Sequence, residues 1–198
     1  MAIIVDKEQK RKDIALACKN SFLKNNIQDL LISDIAIEAG VGKGTLYNYF
    51  NNKEEILFEL ANILLYEHDM IKKERIQQET STKDKMKVFS SFFYSDETEE
   101  LRELYKKFLC ISLSSPTKEM QEFQKKQTDR YNSWMEEIIQ DGVDNGEIIP
   151  ESIDLIPTIC AANKGLFLIN QVTNSKDILK DKINLHIETL FMLIKVNK

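Results

Sequence analysis

Helix breakers are rare in this chain. Its 198 positions hold three prolines and six glycines, and no segment sustains the period-two alternation of a half-buried strand, so an all-helical protein is expected. No apolar run reaches the roughly 18 residues of a membrane span. The opening "MAIIV" is too short for a secretory signal and runs straight into charge, so a cytoplasmic protein with no membrane partner is expected. Cysteine is too sparse for a disulfide framework: Cys18, Cys110 and Cys160 are odd in number, far apart and set in apolar surroundings, which predicts buried free thiols.

Histidine is scarcer still. Neither His68 nor His186 has glutamate three residues before it, since Leu65 and Ile183 stand there, and the di-iron bundle pattern is therefore missing. No "GxSxG", paired cysteines or "HExxH" occurs. His68, between Glu67 and Asp69, suits a metal or polar ligand site, although an ordinary polar position on a long helix explains it more simply. No catalytic residue, metal site or cofactor is expected.

What is present is uneven charge. The net charge of -5 disfavours nucleic acid, but residues 1–53 carry eight Lys or Arg against six acids, a balance of +2, and residues 54–198 carry 19 against 26, a balance of -7. A mildly basic N-terminal quarter on an acidic body binds a polyanion locally, through a field that salt readily weakens.

Within that quarter lies "AGVGKGTLYNYFNNKEE". A phosphate-cradling loop needs glycine five positions before its Gly-Lys pair and Ser or Thr directly after; Ile37 and Gly44 occupy those places. The preceding "ISDIAIEA" has helical rather than strand spacing. A helix, a short glycine-containing turn and a second short helix form instead a helix-turn-helix, whose second helix enters the DNA major groove.

The helices are placed by periodicity. Ile14, Ala15, Cys18, Phe22 and Leu23 face one way on a first helix, which "KNN" ends at Asn25 or Asn26 with a left-handed residue. Short helices follow over Ser33–Ala39 and Lys43–Phe50. Asn52 then caps a long helix, with Glu55 near the capping-box position, running to about Glu79. Further helices are expected over Lys83–Tyr94 and over Glu97–Leu113 behind an Asp96 cap. Another starts at Pro116 and stops at Gly142 and Asn145-Gly146; the next has Pro157 in its first turn, and Asn174 and Ser175 separate it from the last. In the last helix Leu179, Ile183, Ile187, Leu190 and Ile194 make one stripe. Leu185, Met192, Leu193 and Val196 add apolar surface outside it, which predicts a homodimer through the last two helices.

At about 100° per residue, Leu46 and Phe50 fall on one side of the second short helix, with Asn48 and Gly44 opposite, Thr45 and Tyr47 between, and Lys43 and Tyr49 at the buried edge. Asn48 and Thr45 suit base edges, and Lys43 and the tyrosine hydroxyls suit phosphates. Gly44 clears space for a close backbone approach, and Lys53 adds charge at the head of the long helix. A tyrosine-bearing surface turn in a bundle is the bland alternative.

The run "IA..AGV..GTLY.YF..KEE.L", Ile35 to Leu57, resembles the N-terminal domain of the TetR family of bacterial transcriptional regulators, and "GVDNGEI" is similar to that family's turn before its last two helices. The resemblance implies a three-helix DNA-binding domain over residues 1–52, joined by the long helix to a helical effector-binding and dimerisation domain over 53–198. It implies DNA contacts at Lys43, Gly44, Thr45, Tyr47, Asn48 and Tyr49, with Lys53 on phosphate. Ser33 stands in for the usual threonine cap and its phosphate contact, since Leu30 and Leu31 occupy the customary place. Gly42 replaces a common serine and Asn26 a common glycine. The implied partners are a double-stranded operator and an unidentified small apolar or amphipathic effector. A helical ligand-binding or adaptor protein that has lost DNA binding remains the alternative function. Asn163 and Asn170, polar interruptions in an apolar helix, are candidates to orient a ligand.

Overall fold

The computed structural model describes residues 6–173 and 178–196. Ten helices occur among them: α1 Lys7–Ala17, α2 Lys19–Lys24, α3 Ile32–Glu38, α4 Lys43–Tyr47, α5 Lys53–Gln78, α6 Thr82–Ser90, α7 Glu99–Ser114, α8 Lys118–Asp144, α9 Ile156–Thr173 and α10 Leu179–Ile194. Ile148 and Lys195 add an isolated antiparallel bridge. The expected separator at Asn174 and Ser175 lies outside the described residues.

Packing divides the chain into two units. The first comprises residues 1–68 and 100–121, and the second residues 69–99 and 122–198. The expected boundary between 52 and 53 falls inside the first, because α5 continues its apolar face and α7 packs there too.

In the first unit Ile14, Phe22, Ile35, Leu46, Phe50, Ile56, Leu57 and Leu60 are buried, and Phe58 meets Phe108 edge to face at 5.4 Å. The first predicted helix breaks at Cys18, whose backbone leaves the helical region. No left-handed residue ends it: Asn25 and Asn26 are both extended, at φ -118° and -70°. The orphaned carbonyls instead accept from the Lys107 ammonium, which reaches Phe22, Leu23 (3.0 Å) and Asn25 (2.8 Å). Burial pushes the Cys18 thiol up to about 12. Cys160 is half-buried, whereas Cys110 is exposed, contrary to the expectation of three buried thiols.

In the second unit Met86, Met135, Ile138, Ile139, Ile159, Phe167, Ile183 and Ile187 form the core. Gly142 does not stop α8 but lies within it, where a Cβ would sit 2.4 Å from the Thr82 hydroxyl; glycine lets α6 and α8 approach. The stop is Gly146, at φ +67°, with Glu147 N–H donating to the Gly142 carbonyl and Gly146 N–H to Val143. Two other expected helix starts move. Pro116 precedes a Thr117 cap that accepts from Met120 N–H, and Asp96 opens a short 3-10 turn before α7.

The segment Pro150–Thr173 contains an 18-residue window with a mean hydropathy of 1.3, long and apolar enough to cross a membrane by composition. In the fold it carries Asn163 and Asn170 into the interior, with Phe167 and Ile159 beside them.

Candidate nucleic-acid interface

The turn between α3 and α4 is built by one residue. Gly40 adopts φ +63°, a region an L side chain enters at a penalty of about 1 kcal/mol. Val41 N–H then donates to Ala36 and Gly40 N–H to Ile37, both at 3.0 Å, which closes the two-bond Schellman arrangement. The chain leaves α3 sharply, and α4 begins at Lys43.

α4 is anchored by its apolar side. Leu46 is 1% exposed and Phe50, just beyond it, 2%. Lys43, Gly44, Thr45, Tyr47 and Asn48 are exposed, and Tyr49 is half-buried, as 100° geometry requires once Leu46 and Phe50 point inward. None of the exposed side chains makes an internal hydrogen bond among those described, so the face presents free donors, acceptors and one ammonium.

A residue that periodicity did not identify fixes this mount. Arg11 of α1 lays its guanidinium over the Phe50 ring at 4.1 Å, donates to the Tyr49 carbonyl and pairs with Glu59 at 3.0 Å. It holds the end of α4 against α1 and α5 simultaneously. Its partners are 38 and 48 positions away, beyond the reach of any local pattern.

Two predicted residues differ from the rest. Lys53 donates its ammonium to the carbonyls of Gln28 and Leu30, each at 2.9 Å, and so ties down the loop leading into α3. Ser33 is exposed and lies one residue inside α3. The cap position belongs to Leu31, which offers no side-chain hydrogen bond, and the Ser33 hydroxyl is 3.3 Å from Asp34. The start of α5 follows the expected chemistry: Asn52 Oδ1 accepts from Glu55 N–H at 2.8 Å, and the Glu55 carboxylate accepts from Asn51 N–H at 3.0 Å.

An exposed polar face on a short helix, set by a glycine turn and seated on a buried apolar base, defines the chain as a helix-turn-helix DNA-binding regulator. Residues 17–60 match the model of bacterial regulatory proteins, tetR family. The chain is 30% identical to the HTH-type transcriptional regulator YhgD of Bacillus subtilis over 141 residues, 71% of this chain and 73% of that protein. It is also 32% identical over 89 residues to the fatty acid metabolism regulator protein of Bacillus subtilis, 45% of this chain and 46% of that one. A TetR-family regulator from Cytophaga hutchinsonii shares the fold, with a TM-score of 0.80 at 17% identity over the full length of both chains. The chain belongs to the TetR family of bacterial transcriptional regulators, proteins that are not enzymes.

Proposed function

We propose that the chain is a ligand-responsive repressor that binds a palindromic operator as a homodimer and is released by a small apolar or amphipathic effector. Residues 1–52 read DNA and residues 53–198 bind effector and partner. The single observation carrying this reading is the exposed set Lys43, Gly44, Thr45, Tyr47 and Asn48 above buried Leu46 and Phe50. Asn48 and Thr45 offer base-edge hydrogen bonds, and Lys43, Tyr47 and Tyr49 hold phosphates. Lys53 and Ser33 belong to the edge of this contact set, Lys53 through the α3 loop it braces.

Twofold pairing is supported by an apolar outer surface on α9 and α10. Ile169, Val172, Leu185, Met192 and Leu193 are exposed there, at 55–85%. Such a patch suits a self-complementary interface between the last two helices of two protomers. The pair would set two α4 helices about one helical turn of DNA apart, roughly 34–36 Å. An effector that favours a different separation weakens operator binding some 5- to 150-fold for a coupling of about 1–3 kcal/mol. A cytoplasmic location follows from the same reading, since the operator lies there.

The relative named for fatty acid metabolism is in keeping with an amphipathic effector. The test is a gel shift against genomic fragments at moderate salt, with size-exclusion chromatography for the dimer. Specific retention lost on Thr45→Ala supports the reading. Retention that is absent, or that ignores Thr45 and Asn48, favours a helical ligand-binding or adaptor protein whose DNA-binding role is lost.

A further inference from the structure

The interior of the second unit holds a charge imbalance. Lys72 of α5 is only 4% exposed, and its ammonium lies 3.3 Å from Asp69. Four rings surround it: Trp134 at 4.9 Å, Phe89 and Tyr131 at 5.1 Å, and Phe92 at 5.9 Å. An ammonium carries three protons. Asp69 takes one, and the π faces solvate the remainder only weakly.

Asp69 is already shared. Arg130 donates to it at 2.5 Å and the Tyr131 hydroxyl at 2.9 Å. One carboxylate therefore serves two cations and a hydroxyl. Lys164 of α9, half-buried, has no carboxylate partner among the described residues and acts electrostatically on Cys160, as Lys72 does, but not on Lys72 itself. Burial pulls the proton affinity of both lysines down, and for Lys72 Asp69 only partly opposes it. One turn along α9 from Cys160, Asn163 gives its amide to the Ser90 hydroxyl at 2.8 Å while its Oδ1, fully buried, has no partner.

We infer that this interior is the effector site and that it takes an organic carboxylate on an apolar body, the carboxylate accepting the free protons of Lys72 and the body lying against the rings. The inference rests on the effector reading above and deepens it by naming the ligand's charge. An aromatic surround by itself suits an organic cation. Here, however, an ammonium already fills that place and Arg130 already balances Asp69, so a second cation would be repelled. A small hydrated anion would gain nothing from the rings. Trp134 also lines an open cleft on the surface, together with Lys73, Lys85, Glu137 and Asp141.

Trp134 is the chain's single tryptophan, so its emission reports on this place alone. The experiment titrates the full-length protein with octanoate, octanol and octylamine, which share a body and differ in charge. Octanoate is expected to shift Trp134 emission saturably and to bind about tenfold or more tightly than either counterpart. Lys72→Met should abolish that preference, octanoate then binding no more tightly than octanol, and Lys72→Arg should retain part of it; circular dichroism checks that each variant is folded. If Lys72→Met does not fold, the octanoate, octanol and octylamine comparison in the parent and the partial retention of the preference in Lys72→Arg carry the test. Octylamine binding as tightly as octanoate, octanoate binding to Lys72→Met as to the parent, or no shift with any of the three would overturn the inference. Operator release is measured separately by gel shift, so a carboxylate that binds without releasing DNA refutes the repressor mechanism and leaves the binding site standing.

Discussion

The two units place their polar chemistry oppositely. The first buries apolar side chains and carries Thr45, Tyr47 and Asn48 on the outside. The second buries Asp69, Lys72, Asn163 and Asn170 with its aromatic residues. Polar groups left in water add little to folding, whereas a charge taken inside must be compensated or it destabilises the chain. The external set is therefore free to be tuned for a surface partner, and the internal set ties ligand chemistry to stability. Substitutions in the exposed set of the first unit should change binding and leave folding alone; those in the buried polar set of the second should change both.

The largest effect tests the second half of that contrast. Asp69→Ala leaves Lys72 and Arg130 without their shared carboxylate and should destabilise the protein by about 3–5 kcal/mol in urea denaturation. An unchanged midpoint would erase the distinction between the units. Next in size, Thr45→Ala and Asn48→Ala should each weaken operator binding by about 1–3 kcal/mol in a gel shift. Their melting temperatures should stay with the parent's, since neither side chain is buried. A matching loss of stability would show that this face supports the fold.

These contrasts also mark what the sequence reveals. The helix-turn-helix and the orientation of α4 were legible because their causes are local: Gly40 supplies a left-handed residue, and Leu46 and Phe50 recur at helical spacing. The compensating contacts were not. Arg11 reaches Tyr49 and Glu59, Lys107 caps α2 from more than 80 residues away, and Asp69 meets Arg130 and Tyr131 some 60 residues on. Periodicity shows which face a residue occupies and is silent on what meets it from another helix. That is also why Asn25 and Asn26 misled: a distant lysine satisfies the helix end that a left-handed asparagine was expected to close. Asn163 and Asn170 stood out as polar breaks in an apolar stripe, but that the helix turns both inward became visible only with the fold.

A smaller effect carries a pH signature. In Lys72→Met, Asp69 keeps Arg130 and Tyr131, so the substitution removes a buried ammonium without orphaning its partner and should raise stability by about 1 kcal/mol at neutral pH. Burial lowers the Lys72 proton affinity below its ordinary 10.5. Between the lowered value and 10.5 the unfolded chain holds more protons than the native one, so native stability rises with pH across that window. Below it, the full penalty of the buried charge is present. The advantage of Lys72→Met should thus be greatest at neutral pH and shrink as pH approaches 10.5. Tyr131 and Cys160, whose protons burial retains above the ordinary range, are common to both proteins and largely cancel. Paired denaturation curves at several pH values measure the difference; an advantage that grows with pH would reverse the assigned sign.

The smallest structural change is the sharpest test of the first unit. A Cβ built at Gly44 meets nothing within 4 Å, and the backbone there is not left-handed, so nothing inside the protein requires glycine. Alanine is favoured over glycine within a helix by roughly 0.5–1 kcal/mol, and Gly44→Ala should melt at the parent's temperature or slightly above it. If α4 brings its backbone close to DNA at this point, the added methyl group meets the duplex, and operator affinity should fall about tenfold, equivalent to some 1.4 kcal/mol. Stability and affinity would then move in opposite directions for one methyl group, an outcome that a purely structural turn cannot produce. Unchanged affinity would mean that α4 does not approach DNA closely along its Gly44 edge, and would shift weight to the adaptor reading.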